Sequence, residues 1–414
     1  MQKDTSDAAA RGGPVRGALD RMRWPVLAVG LTGYLCLACI GTCLASLPAL
    51  LLLVAGRPGA AFVLVLAGML GAVVVLPVLI APRLLPPGAT LSRAIAPGLH
   101  GQLDMMRKRL DAPRLDGIVL DHGFDIRVVF GARSVLSPQA RRHLIIGLPL
   151  MHALSAAEFR ALMAREVAVT SRRHGRITIA LAALYTHWQR LLAASGNRRV
   201  LRMTGLHALL HGYVSRYHAR AGPCMLERER AADRMACAVA RPAELAAAIL
   251  RSCLAVRFIE ERVLPDLRSQ IRRFGEPASG VHTRFEQAMR GAFDDPRFDR
   301  WLVDVLRAGR TTTTDRPAAS ERIDAIGFGM NRPEAFGQML KLAFSARKQT
   351  DTAAGHYLGP SARHVTMSLE KSWIDQVRAA SWDAAAEHTE SPDRDPGLDA
   401  DAPPAGDLTR ARSA

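Results

Sequence analysis

Three acidic residues lie in stretches whose apolar residues recur at helical spacing. Glu166 is on the apolar stripe of the segment 154–175, and Glu229 and Asp233 lie one turn apart on the stripe of a second segment. Such stripes face the protein core, where a carboxylate without a partner is costly. A metal ion, an arginine or a shifted pKa must therefore compensate these charges. In the alternative, one or more of these residues sits at a helix edge and reaches water.

Two further positions on the first of these helices have the spacing of a metal site. Arg165 and Val169 are four residues apart on an adjoining face, and two histidines at this spacing can hold a metal ion. His207 and His211 have the same spacing, but Ala208 stands where a catalytic glutamate would follow the first histidine. We therefore interpret the histidine pair as a feature of the helix surface or of packing.

Helices and short strands must position these residues. Ser155, followed three residues later by Glu158, forms a capping box that predicts the start of the first helix. Helical sequence continues to about residue 254, with predicted breaks at Gly196-Asn197, Gly222-Pro223 and Arg241-Pro242. Further upstream, the patterns predict a helix at 101–110, two short strands within 115–130, and another strand and a turn within 141–154.

Two long uncharged apolar runs precede these elements. They cover residues 24–56 and 58–82 with only Arg57 between them, and each exceeds the roughly 20 residues that a bilayer crossing needs. They predict a transmembrane hairpin, and a buried hairpin of a soluble protein is the alternative. Basic residues are concentrated before the first run and after the second, so the positive-inside rule places both ends of the chain in the cytoplasm. We predict an integral protein of the cytoplasmic (inner) membrane.

The balance of charges limits the possible partners. The chain of 414 residues has a formal net charge of +17, which suits an anionic membrane face or a nucleic acid. It contains no C2H2 finger, RRM signature or basic heptad arm, and its few aromatic residues are not interleaved with the basic runs. The lipid bilayer is therefore the predicted partner, and nucleic-acid binding is disfavoured.

Three motifs, in this order along the chain, resemble those of the HtpX-like membrane zinc metallopeptidases, relatives of the CAAX prenyl proteases. The family pattern L-S-x-x-E-(apolar)-x-A-(apolar)-(apolar)-A-H-E-(apolar)-G-H is matched by LSAAEFRALMAREVAV, which begins at Leu154. The downstream pattern E-x-x-A-D is matched by Glu229, Ala232 and Asp233. The later pattern [ST]-x-H-P followed by E-R-(apolar) is matched by TDRPAASERI at 314–323, with arginine for the histidine. The resemblance covers about residues 24–328.

The departures from the family pattern all concern catalytic chemistry. The resemblance places the two zinc-binding histidines at Arg165 and Val169, and the histidine of the later motif at Arg316. A strand that lines the substrate cleft in the family carries Asp125 in place of an asparagine. Catalytic zinc takes three protein ligands and an open position for water. A single remaining carboxylate ligand cannot hold it.

Two acidic positions of the family remain. Glu166 has the general-base position and Glu229 the third-ligand position, and neither is expected to function without zinc. Arg165 starts from the helix position of the lost first ligand, and its guanidinium can hold Glu229 bidentately, with Asp233 or Glu166 nearby. We predict that this ion pair closes the former metal site while Val169 packs in the core. In the alternative, Arg165 points to solvent and the carboxylates are protonated or hydrated.

The sequence thus predicts an α+β, mainly helical, zincin-like (gluzincin) metallopeptidase domain on a two-helix transmembrane hairpin. We expect a catalytically inactive homologue, without a cofactor, that binds peptide segments, unfolded or membrane-protein clients, or an active paralogue. One alternative is an active zinc protease in which Glu229 and distant histidines rebuild the metal site, and another is a basic surface for anionic lipids or nucleic acid. The expected regions are a basic N-terminal segment (1–23), the hairpin (24–83), the metallopeptidase-like domain (84–330), a helical region (331–390) and a disordered tail (391–414).

Overall fold

The computed structural model describes residues 13–70, 88–130, 142–196, 205–266, 269, 280–291, 295–307, 317–329, 333–344 and 352–371. Within these ranges the chain is mainly helical with one small mixed sheet, in agreement with the predicted composition. Arg316, residues 1–12 and the predicted tail at 391–414 lie outside the described residues.

Two consecutive apolar helices begin the described chain. Helix α1 (Gly13–Val54) and helix α2 (Pro58–Leu70) contact each other and are joined by a turn at Gly56, whose φ is +74°. Of the described helices, only α1 is long and apolar enough to cross a membrane, in the window Met22–Cys39. The second predicted span is described only as far as Leu70, where it forms a shorter apolar helix.

The sheet has four strands in the order β1-β2-β4-β3. Strands β2 and β3 are present where the sequence predicted two strands, but they do not pair with each other. Strand β4 lies between them, parallel to β2 and antiparallel to β3. The connection from β2 to β3 passes the end of β4 so closely that a Cβ atom on Gly147 would overlap the carbonyl oxygen of Gly123. The strand bounds are β1 Ala89–Leu91, β2 Gly117–Asp121, β3 Ile126–Phe130 and β4 Arg142–Gly147.

Helix α5 (Ala156–Val169) lies in the main core, among the sheet and most of the other helices. The predicted capping box is confirmed, because the hydroxyl of Ser155 accepts from the backbone N–H of Glu158 while the Glu158 carboxylate accepts from the backbone N–H of Ser155. The surrounding helices are α3 Pro97–Arg109, α4 Leu148–Ala153, α8 Pro242–Phe258, α9 Val281–Gly291, α10 Phe298–Arg307, α11 Ala319–Ala325, α12 Pro333–Phe344 and α13 Ala353–Leu358.

Helices α6 (Arg176–Gly196) and α7 (Leu206–Ala236) form a second apolar cluster against α1. The indole N–H of Trp188 donates to the carbonyl of Gly30 at 3.0 Å, and the hydroxyl of Tyr213 donates to the carbonyl of Val29 at 2.6 Å. A Cβ atom on Gly33 would overlap the ring of Trp188, so this close approach depends on glycine. Part of the predicted metallopeptidase-like region therefore packs directly on the first apolar helix.

The predicted break at Gly222-Pro223 is wrong, because α7 continues through Pro223. Proline usually clashes with the Cβ of the preceding residue in helical geometry, and Gly222 has no Cβ. One backbone hydrogen bond is still lost at Pro223. Burial of Ala221 and Cys224 on either side of this site supplies packing that keeps the helix continuous. Glu229 and Asp233 consequently stand on the same helix that contacts α1.

Candidate functional site

The predicted site residues of α5 and α7 meet in the interior of the protein. Arg165 and Glu166 lie near the C-terminal end of α5, and Glu229 and Asp233 lie in the C-terminal third of α7. The side chain of Arg165 is only 2% exposed and that of Asp233 is fully buried. On both helices, the face that carries these charged residues also carries buried apolar residues. The charged groups must therefore find partners within the protein.

The guanidinium of Arg165 contacts all three predicted carboxylates. Its Nη1 contacts Oε1 of Glu166, its Nη2 contacts Oε2 of Glu229, and its Nε lies 3.4 Å from Oδ1 of Asp233. An ion pair between Arg165 and Glu229 is therefore present, but it is not bidentate as predicted, because Nη1 contacts Glu166 instead. The alternative in which Arg165 points to solvent is wrong. The ion cluster consists of Arg165, Glu166, Glu229 and Asp233, together with Arg228 and Arg322.

Arg322 of α11 is a member of the ion cluster that the sequence reasoning did not identify. Its Nε donates to Oδ2 of Asp233 at 3.0 Å and its Nη2 donates to Oδ1 at 2.9 Å. Burial alone would raise the pKa of Asp233, but the charges of Arg322 and Arg165 and their hydrogen bonds hold it below its usual value. The E-R pair of the third motif, Glu321-Arg322, was the available signal.

Arg228 is the third arginine of the ion cluster. Its Nη2 donates to the carbonyl of Val169 at 2.8 Å, and its Nη1 lies 4.0 Å from Oε1 of Glu229. Burial and the nearby charge of Arg165 lower the pKa of Arg228 to about 10, which still leaves it protonated at neutral pH. The cluster therefore holds three guanidinium groups against three carboxylates. Such a balanced set supplies no excess negative charge for a divalent cation.

The other predicted positions, Asp125, Val169 and Arg316, are not members of the ion cluster. Asp125 precedes β3, and its carboxylate accepts from Arg127 at 2.6 Å, while Arg127 also donates to Asp121 at 2.8 Å. These contacts hold Asp125 at the end of the sheet. Val169 is half-buried against the main core, as predicted for packing. Arg316 lies outside the described residues.

The two histidines of α7 lie far from the ion cluster. His211 and Glu229 are 18 residues apart on one continuous helix, which separates them by about 27 Å at 1.5 Å per residue. His207 is further away, and its Nδ1 lies 2.9 Å from the hydroxyl of Ser195. This distance excludes a zinc site that combines Glu229 with His207 and His211. In the described part of the chain, no three His, Cys, Asp or Glu side chains are grouped as metal ligands.

A buried histidine pair is a second feature that sequence spacing did not reveal. Nδ1 of His122, after β2, lies 2.9 Å from Nε2 of His282 in α9, and the two rings are stacked. Burial lowers the pKa of His122 to about 4. Burial, and then the neighbouring His122 and His152, lowers the pKa of His282 to about 3. Both rings are therefore neutral at pH 7 and share one hydrogen bond.

This pair predicts a loss of stability on acidification. The folded-state pKa values lie below the ordinary histidine value of about 6.5, so below that pH the unfolded chain binds protons that the folded chain does not. We expect the free energy of unfolding to fall by roughly 2–4 kcal/mol between pH 6.5 and 4.5. Denaturation of the detergent-solubilised chain across this range measures the effect.

A double variant, His122→Gln with His282→Gln, provides the comparison for this pH profile. Glutamine keeps hydrogen-bonding groups but does not titrate, so the variant should show a flatter profile below pH 6.5. His364→Gln, which changes an exposed histidine, should leave the wild-type profile unchanged. A steep profile in the double variant equal to that of the wild type would contradict the assignment to this pair.

No family model, no curated protein and no solved structure matches this chain.

Proposed function

We propose that the protein is a membrane-anchored, zincin-like pseudoenzyme that binds a peptide segment or a membrane-protein partner and does not cleave it. The observation that carries this proposal is the position of the Arg165 guanidinium, which contacts Glu166 and Glu229 at once. In the family that the motifs resemble, those two carboxylates are the general base and a zinc ligand. Here Arg165, which has the sequence position of the family's first zinc-binding histidine, contacts both carboxylates.

The arrangement around the ion cluster supports a zincin-like interpretation. The motif helix α5 packs under strand β3, and α7 crosses α5 so that its E-x-x-A-D carboxylates reach the end of that helix. Helix α11 adds Arg322, the arginine of the third motif's E-R pair, to the same place, and Glu321 pairs with Arg230. Residues of three motifs that are far apart in sequence are thus adjacent in the described part of the chain, which supports the zincin-like interpretation.

Electrostatics argue against hydrolysis at this site. A zinc ion would need two more protein ligands than Glu229 supplies, and Val169 cannot provide one. The ion would also enter a cluster whose three carboxylates are already balanced by three arginines, one of which is in direct contact with Glu229. Without a metal-bound water there is no nucleophile for Glu166 to activate.

The sheet edge beside α5 supports a binding role. In the described part of the chain, β3 pairs only with β4 on one side, and it contacts α5 on its face. The free side of an edge strand can add an extended peptide through main-chain hydrogen bonds. We propose that a segment of an unfolded or membrane-protein client, or of an active paralogue, occupies this edge. The apolar helix α1 would keep the site close to membrane proteins.

The double revertant Arg165→His with Val169→His tests this proposal. The full chain in detergent should contain no stoichiometric zinc and should not hydrolyse peptides. The revertant restores two imidazoles at i and i+4 beside Glu229 and removes one cation, so we expect it to bind one zinc ion per chain. Zinc content after dialysis and hydrolysis of an unstructured peptide are measured for both.

A matched control places the same histidine pair where no carboxylate faces it. Arg216→His with Arg220→His gives the i and i+4 spacing on an exposed face of α7. If this control takes up as much zinc as the revertant, the former metal site is not responsible. Stoichiometric zinc and chelator-sensitive cleavage by the wild-type chain would overturn the pseudoenzyme proposal.

A further inference from the structure

A strongly basic cavity lies between α1, α6, α7 and the 3-10 turn Arg172–His174. Its volume is about 220 Å³, and it lies beside the ion cluster, with which it shares Arg228. The residues that line it include Arg23, Arg173, Thr178, Glu227, Arg228 and Arg234. Nothing in the proposed binding function uses this cavity.

The charges of the cavity are suited to an anion. Three arginines (Arg23, Arg173 and Arg234) line it against the single carboxylate of Glu227, which Arg234 contacts at 2.7 Å. The charge of the fourth arginine, Arg228, is already matched within the ion cluster. His174 also lines it, and burial lowers the pKa of that ring to about 4, so it is neutral at pH 7. Guanidinium groups present several N–H donors in one plane and match the oxygens of a phosphate. The cavity therefore has an excess of positive charge and of donors.

Thr178 and Arg228, which line this cavity, each hold a buried polar atom that has no hydrogen-bond partner among the described residues. These atoms are the hydroxyl oxygen of Thr178, a residue that is 3% exposed, and Nε of Arg228. Buried polar atoms in proteins are nearly always satisfied, and an exception indicates a missing water, ion or ligand. Both residues line the same cavity, so a shift of these two side chains toward one occupant with acceptor oxygens would satisfy both atoms.

The cavity also lies at one end of the candidate membrane span. Arg23 falls within the first two residues of the apolar window Met22–Cys39, directly before the long uncharged run. Trp24 is 64% exposed, and exposed tryptophan at the end of an apolar helix is typical of the membrane–water interface. Phosphate groups of lipids are concentrated at this depth.

We propose that this cavity binds a phosphate group, carried either by an anionic phospholipid or by a soluble phosphate compound. Arg173, Arg228 and Arg234 supply charge-assisted hydrogen bonds, and the hydroxyl of Thr178 donates a neutral one. Arg23 completes the site from the end of α1. The site is independent of the proposed function, because a peptide on the edge of β3 would not contact it.

Binding to the full chain in dodecyl maltoside micelles tests the proposal. The probes are dioleoyl phosphatidylglycerol, dioleoyl phosphatidylcholine and inorganic phosphate, each titrated while the thermal unfolding midpoint is recorded. We expect a saturable rise with phosphatidylglycerol or with phosphate. Arg234→Gln and Thr178→Val should each weaken that binding, the first by about tenfold because a charge-assisted hydrogen bond is lost. Thr178→Val alone should not lower the midpoint without probe, since its hydroxyl has no partner to lose.

Arg257→Gln is the matched control for charge. Arg257 pairs with Glu261 at 3.4 Å on α8, away from the cavity, as Arg234 pairs with Glu227. Saturation by phosphatidylglycerol but not by phosphate would assign the site to a lipid headgroup, and saturation by phosphate would assign it to a soluble compound. Failure of both probes, or equal weakening by Arg257→Gln, would overturn the proposal. Zinc content of the double revertant is not affected by either outcome, so the two proposals are tested separately.

Discussion

Arg165→Met is expected to lower the free energy of unfolding by about 3–5 kcal/mol. The substitution keeps the volume of the buried side chain but removes the cation that contacts Glu166 and Glu229. Those carboxylates would remain buried with Arg228 as the nearest positive charge, 4.0 Å from Glu229. Chemical denaturation of the full chain in detergent, followed by tryptophan fluorescence, measures the change.

Two comparison variants separate this effect from a general loss of charge. Adding Glu229→Gln to Arg165→Met removes one of the stranded carboxylates and should recover part of the loss. Arg160→Met, on the same helix, breaks a half-exposed pair with Glu244 at 3.3 Å and should cost less than about 1 kcal/mol. If Arg160→Met and Arg165→Met lower the free energy of unfolding equally, burial of the ion cluster does not explain the effect of Arg165→Met.

Glu158→Ala is expected to lower the free energy of unfolding by about 3–5 kcal/mol, because the Glu158 carboxylate binds two partners. Its Oε2 accepts from the backbone N–H of Ser155 at 2.9 Å, and it accepts from Nη1 of the buried Arg251 at 2.5 Å. The change removes the side-chain half of the capping box, in which the carboxylate accepts from the backbone N–H of Ser155, and the Ser155 hydroxyl can still cap α5. It also leaves the Arg251 guanidinium, 5% exposed, without its carboxylate. The same denaturation experiment reports it, and Arg251→Met in the same chain should partly restore stability.

Glu244→Ala is a close control for this variant. Glu244 also stands three residues after a helix N-cap, where it accepts from the backbone N–H of Arg241 at 3.3 Å, and its arginine partner is half-exposed. We expect a loss of about 0.5–1 kcal/mol. A loss as large as that of Glu158→Ala would mean that the cap, rather than the buried ion pair, dominates.

Local patterns predicted the elements that depend on neighbouring residues. The Ser155 and Glu158 capping box, the apolar stripe of α5 and the two strands around His122-Gly123 all follow from residues a few positions apart. The order of the strands was not predictable in this way, because β4 enters between β2 and β3 from later in the chain. The continuity of α7 through Pro223 was mispredicted because the packing on both sides of it comes from other elements.

The same distinction applies to the site. The sequence indicated an arginine partner for Glu229, because the resemblance places Arg165 and Glu229 at two ligand positions of the same former metal site. It did not indicate Arg322, whose partner Asp233 is 89 residues away, or the pair of His122 with His282, which are 160 residues apart. Partners at such separations are set by the packing of whole helices. Spacing within a motif carries no information about the histidine pair, and it marks Arg322 without indicating its partner.

Helix α7 connects α1 to the ion cluster through one continuous helix. Its 31 residues span about 46 Å, with Tyr213 bonded to the backbone of α1 near one end and Glu229 held by Arg165 near the other. If α1 crosses a bilayer, a change in its tilt in a thinner or thicker membrane would be passed along α7 and would strain the contact between Arg165 and Glu229. Pro223, between the two ends, lacks one backbone hydrogen bond and is the natural point of bending. The geometry of the ion cluster would then depend on the thickness of the surrounding membrane.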